Sequence, residues 1–153
     1  MKTKDILPFE VKQWLILGGK LVTRILEDTD RGISQDGNGT KFPPYSSEYA
    51  QKKAIGKAGP KGVSNNRQTS PPNLRLTGAM LNSLKAQKPT SSSVELNYRE
   101  GKKFEGNAKG KKRRNVYGLN NKNEEFVKDF FDKEIDDRII KFSKKDIIID
   151  LKL

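Results

Sequence analysis

Apolar residues recur every three or four positions near the start of the chain and again near its end. Leu7, Val11, Trp14, Gly18, Leu21 or Val22, and Ile25 form one stripe, which predicts a helix over 5–29. Gly18-Gly19 interrupts it at about 1 kcal/mol per glycine relative to alanine. The pair marks a kink, a close approach of another backbone, or a merely tolerated interruption. Near the other end Val127, Phe131, Ile135 and Ile139 make a second stripe, flanked by Phe126, Phe130 and Phe142. Asn121, with Glu124 three residues on, reads as the cap of that long helix. Lys141, Lys144 and Lys145 fall where the helix dipole favours cations. Between the helices, Val94, Leu96 and Tyr98 alternate and predict a strand over 93–99. Leu74 and Leu76 alternate as a shorter strand, and Thr77 then reads as the cap of a short helix carrying Met80, Leu81 and Leu84. Ser46 or Ser47 caps another short helix running to about Ile55, with Tyr49 and Ala50 on its inner face. The final Asp146-Ile147-Ile148-Ile149-Asp150-Leu151-Lys152-Leu153 predicts a terminal strand over 146–153, suited to a sheet edge of this chain or of a neighbour.

The polar stretches between these elements are long. Residues 30–45 are rich in turn formers, with Asp36-Gly37 and Asn38-Gly39 favouring tight turns. Phe42-Pro43-Pro44-Tyr45 then reads as an extended anchor, because each proline fixes its own φ and pushes the residue before it away from helix. Residues 56–73 contain Gly, Pro, Ser and Asn, the three cations Lys57, Lys61 and Arg67, and no acidic residue. An arm of that length is uncommon in a compact domain; the composition fits equally an arm that orders against a neighbouring subunit and one that stays mobile. Residues 100–115 form a glycine-punctuated loop carrying Lys102, Lys103, Lys109, Lys111, Lys112, Arg113 and Arg114.

Composition narrows this picture. The 153 residues argue for one domain, 1–153, with arms or long loops. Only 33% are hydrophobic, so the core is small for the length. The net charge is +12, and its distribution is uneven: residues 121–153 carry a net −1 and residues 1–120 a net +13. Such a field suits a polyanion or an acidic protein surface. The longest early apolar run, Trp14-Leu15-Ile16-Leu17, is too short to span a bilayer or form a signal-peptide core. The expectation is a soluble, intracellular protein without a membrane partner.

Little of this points to catalysis. With no cysteine and no histidine, thiolate chemistry, disulfides and the commonest general base and metal ligand are excluded. The carboxylates Glu124, Glu125, Asp129, Asp132, Glu134, Asp136 and Asp137 alternate with Lys128, Lys133 and Arg138, as on a solvated helix face. Glu100-Gly101-Lys102 matches half of a nuclease metal site but lacks the upstream aspartate on a strand. Ser83 and Lys85, two apart on the expected helix, would not face each other. The reading is of a non-enzyme, with no cofactor and no metal.

Two segments in order carry a family resemblance: Phe42-Pro43-Pro44-Tyr45-Ser46-x-x-Tyr49-Ala50-x-x-Lys53 and Asn73-Leu74-Arg75-Leu76-Thr77-Gly78-Ala79-Met80-Leu81-x-Ser83-Leu84. A strand, Arg113-Arg114-Asn115-Val116-Tyr117-Gly118-Leu119 and a terminal amphipathic helix follow. Over about residues 5–142 this order resembles the virion morphogenesis and tail-completion proteins of tailed phages, within the wider group of head-tail joining proteins. Tyr45, Tyr49, Leu74, Leu76, Thr77, Gly78 and Met80 are its signature positions. The resemblance implies an α+β fold with helices on a small, mainly antiparallel sheet. It implies a structural subunit in a ring at the head-tail junction of the virion, six copies favoured and twelve possible, assembled in the host cytoplasm. Its partners would be connector or head-completion and tail-tube proteins, with genomic DNA passing through the channel. The cations of 100–115 would then face the lumen or an acidic adjacent ring. The chain departs from the pattern at Asn107-Ala108-Lys109-Gly110, where many relatives have a histidine before a glycine. It departs again at its terminal Ile-rich strand, which suggests an added contact. A small basic protein that binds nucleic acid without sequence preference is the alternative, and a metal-dependent nuclease the third.

Overall fold

The computed structural model describes residues 10–59, 65–75, 78–99 and 114–143, with side chains as far as residue 140. The first helix, α1, runs Val11–Asp30. The amide N–H of Glu10 donates to the Gln13 side chain at 2.7 Å, closing its first turn. Leu17, Gly18, Leu21, Ile25 and Thr29 are its buried face, at the three- and four-residue spacing that an amphipathic helix requires. Trp14 is half-buried and packs edge-on against Phe131. Val11, expected on the buried stripe, is 45% exposed, and Leu7 lies outside the described residues.

The two glycines of α1 have different reasons. A Cβ on Gly18 would lie 2.7 Å from the Cβ of Ala86 and 3.0 Å from Val94, so this is where the sheet presses on the helix. Gly19 has nothing within 4 Å of such a Cβ and is simply exposed.

Ser46 caps α2, Ser47–Ala54, by accepting a hydrogen bond from the amide of Tyr49. A 3-10 turn at Leu81–Ser83 leads straight into β1, Leu84–Gln87. β1 pairs antiparallel with β2, Glu95–Tyr98, in the register Leu84↔Tyr98 and Gln87↔Glu95. The last helix, here α3, is Asn121–Ser143. The fold is thus α+β: a small antiparallel two-stranded sheet flanked by an N-terminal and a C-terminal helix. Helices α1 and α3 run antiparallel, since Gln13 meets Glu134 while Arg24 meets Asn123.

Four local expectations change. Leu74 has φ +55°, which breaks the extended run expected at Leu74 and Leu76; Leu76 and Thr77 themselves lie outside the described residues. The helix expected around Met80, Leu81 and Leu84 shrinks to the 3-10 turn, and Leu84 begins a strand. Its spacing fits a helix, but Leu84 and Leu81 reach the same core from a turn and a strand instead. The cap of α3 is Asn120 rather than Asn121: its side-chain oxygen accepts from the amide of Asn123 at 3.0 Å. Ile139 is 48% exposed, because α3 has run past the body that buries Phe130. Phe142, the side chains of Lys141, Lys144 and Lys145, and the segment 146–153 lie outside what is described.

The core falls in two adjoining parts. Ile25, Phe42, Leu81, Leu84, Tyr98 and Val116 bury together between α1 and the sheet. Leu17, Leu21 and Phe130 bury together between α1 and α3, with Trp14, Phe126, Val127, Phe131 and Ile135 packed around them.

Candidate functional site

The signature segment of α2 meets the signature segment after Asn73 around one buried cation. Lys53 is fully buried. Its Nζ donates to Oδ1 of Asn73 at 2.8 Å and to the phenol oxygen of Tyr45 at 3.4 Å, and sits 4.8 Å from the centre of the Tyr45 ring. Burial lowers its pKa to about 8 from the ordinary lysine value. A buried ammonium needs acceptors on every side that water has left. Here they are neutral: an amide oxygen, a phenol and a π face. Helical spacing puts Tyr49 and Lys53 on one face of α2, and Ser46 fixes where that face begins. Tyr49 packs against Tyr45 with ring centres 4.9 Å apart.

Tyr45 and Asn73 also hold the returning chain. The Tyr45 oxygen accepts from the amide of Leu74 at 3.0 Å, and Oδ1 of Asn73 accepts from the amide of Arg75 at 3.2 Å. The Asn73 amide donates to Asn66 at 3.1 Å. Gln68 donates to the carbonyls of Asp30 and Pro71. Arg75 then forks onto the Asp30 carboxylate at the end of α1, with Nη2 to Oδ2 at 2.9 Å, and reaches Asn82 with Nη1. These contacts tie the described stretch 65–73 of the arm to α2 and α1. Burial raises the phenol pKa of Tyr45, partly offset by the Leu74 amide and by Arg114; Tyr49 is raised chiefly by burial.

Arg114 adds a second cation to the cluster. Its guanidinium donates to the carbonyls of Pro43 and Pro44 at 2.9–3.2 Å and lies 4.9 Å from the Tyr45 ring centre. Tyr45 therefore carries two cations against its ring, one buried and one half-buried.

The other residues singled out from sequence are scattered. Lys57 and Arg67 are exposed. Gly78 has φ +80°, and half-buried Met80 packs on the core while its carbonyl accepts from Ser83. Lys61, Lys102, Lys103, Lys109, Lys111, Lys112 and Arg113 lie outside the described residues, as do Glu100 and the rest of 100–113. Ser83 and Lys85, expected to diverge on a helix, instead line one surface cleft. The Ser83 hydroxyl donates to the Met80 carbonyl at 2.6 Å rather than toward a base. Among the described residues no three acidic, cysteine or histidine side chains group as metal ligands, and no helix is long and apolar enough to cross a membrane.

A second polar cluster was not anticipated. Oδ2 of Asp28 accepts from Gln35 at 3.1 Å and from Asn120 and Asn123 at 3.0 Å each. Asn123 also donates to Gln35 and accepts from Arg24. Gln35, Asn120 and Asn123 are all buried. Three neutral amides around one carboxylate oxygen join α1, the turn segment and the start of α3. In sequence they look like ordinary loop polars, and only their burial reveals the join.

Fold and clusters together define a small α+β domain whose described polar constellations fasten segments of the chain to one another. Comparison of the chain with protein-family models, with curated proteins and with solved structures gave no match.

Proposed function

We propose that this chain is a structural subunit of a tailed-phage virion, assembling as a ring at the head-tail junction and surrounding the DNA path. The observation that carries the reading is the convergence of the two signature segments on Lys53. Tyr45, Tyr49, Lys53 and Asn73 close on each other around a buried cation, as residues that hold a fold do. The signature thus serves construction, and function passes to the surfaces it organises. Val11, Leu15 and Ile16 of α1 are 41–45% exposed, and Ile139 of α3 lies toward the same end of the helix pair. Apolar side chains grouped on a polar chain suit a face covered by a neighbour. The arm 56–73 and the cations Lys102, Lys103, Lys109, Lys111, Lys112 and Arg113 are then the contacts to adjacent subunits, DNA or an acidic ring, while Arg114 is engaged within the fold.

The test is light scattering coupled to size exclusion on the full chain, with electron microscopy of the same fractions. Closed rings, six-fold favoured, are expected, alone or with connector or tail-tube protein. A strict monomer in both conditions would sink the ring and leave the free nucleic-acid-binding reading, which the +12 charge supports.

A further inference from the structure

We infer that the outer face of the two-stranded sheet is a binding site for the phosphodiester backbone of nucleic acid. Alternation along β1 and β2 sends Leu84, Leu96 and Tyr98 inward to the core. It sends Lys85, Gln87, Glu95, Asn97 and, just past β2, Arg99 to the opposite face, with Glu95 at the end of the sheet away from Arg99 and outside the cleft lining. Ala79, Asn82 and Ser83 wall one side, and together these residues line a cleft of about 560 Å³. Lys85 and Arg99 are exposed. The strand register sets Lys85 opposite Asn97, so Arg99 lies on the diagonal beside it.

The chemistry of the lining selects the ligand. Six of the seven lining residues carry hydrogen-bonding side chains, two of them cationic and none acidic. Among the described residues neither Lys85 nor Arg99 forms an ion pair. The nearby Glu95 is held instead by Lys88 at 3.0 Å. A guanidinium fork, an ammonium and neutral amides are the groups that contact phosphate oxygens. No aromatic side chain lines the cleft, so bases have nothing to stack on, and recognition is of the backbone without sequence preference. An acidic peptide carries anions too, but its other side chains would gain little burial in a lining where Ala79 alone is apolar. The cleft also belongs to the part of the chain, 1–120, that carries the whole positive excess. The site stands apart from ring formation: a monomer would bind through it, and a ring could form without it, so the two readings fail separately.

The test is fluorescence anisotropy of a mixed-sequence duplex DNA titrated with the full chain at several salt concentrations. The double variant Lys85→Gln/Arg99→Gln is compared with Lys12→Gln/Lys128→Gln, which removes the same charge from exposed positions on α1 and α3. The cleft variant should bind about tenfold or more weakly, with the salt slope reduced by about 2, because two phosphate contacts are lost. The helix variant should stay within about threefold of the parent chain. Arg99→Lys alone should retain most of the affinity, which separates lost charge from lost fold. Equal loss in the two double variants, or no DNA binding by the parent chain, would overturn the site. So would polyglutamate that competes as well as DNA, charge for charge, through the same residues; the partner would then be an acidic protein surface.

Discussion

Lys53 sits where an ammonium is expensive to keep. Its acceptors are neutral, and its lowered pKa, about 8, records the water it has lost. The unfolded chain restores the ordinary value of 10.5. From about pH 8 to about pH 10 the unfolded state therefore binds the extra proton, and stability rises with pH. Above about pH 10 the buried phenols take over. Tyr45, Tyr49 and Tyr98 are raised by burial, so they stay protonated in the fold while the unfolded chain ionises, and stability falls. The urea midpoint should thus peak near pH 10, and Lys53→Met should abolish the rising limb. A limb unchanged by that substitution would remove Lys53 as its source. Lys53→Ala should cost roughly 2–4 kcal/mol, because it adds a cavity to the lost hydrogen bonds. Lys53→Met fills the space and should cost markedly less. None of this was legible in Tyr-Ser-x-x-Tyr-Ala-x-x-Lys itself. The spacing sets Tyr49 and Lys53 on one face, but a lysine on a short polar helix ordinarily points to water. Its burial depends on Asn73, twenty residues away.

The elements that announced themselves are those whose own periodicity matches their burial. α1, β2 and α3 are of this kind, and α2 was announced by its Ser46 cap rather than by a buried stripe. β1 is different. Leu84-Lys85-Ala86-Gln87 has no β-branched residue, and Met80, Leu81 and Leu84 keep helical spacing, so local preference points away from the strand that pairing with β2 imposes. The Lys85–Arg99 cleft was hidden for the same reason, since it exists only once β1 is a strand. Gly18 against the sheet gives a sharp contrast with its neighbour. Gly18→Ala must push Ala86 and Val94 outward and should cost about 1–3 kcal/mol. Gly19→Ala meets open space and should add about 0.5–1 kcal/mol of stability. Thermal melts of the two variants, moving in opposite directions, would check both. Asn120→Ala removes the cap of α3 and one donor to Asp28 together, and should lower stability by roughly 1–3 kcal/mol in urea titration.

At the scale of the molecule, the small apolar core and the polar clusters divide the work. The core joins α1 to the sheet and to α3. The clusters at Lys53, Asp30 and Asp28 fasten the long irregular segments that the core does not reach. A chain of 33% hydrophobic composition with such segments is one whose outer contacts matter to its final form. If the ring reading is right, assembled particles should melt well above the isolated subunit, and the gap should widen with protein concentration. Calorimetry across a concentration series would measure it, and a concentration-independent melt would count against assembly.

The Asp28 junction has a consequence in time. Its partners Asn120 and Asn123 stand 92 and 95 positions away along the chain, and Arg75 stands 45 from Asp30. The end of α1 cannot be completed until loops of that size have closed. Closure over such distances pays its entropy before the contacts reward it, which slows the search for the native state. The refolding rate should accordingly be insensitive to changes at Asn120 and Asn123, while the unfolding rate responds to them, as for contacts made only after the barrier has been crossed.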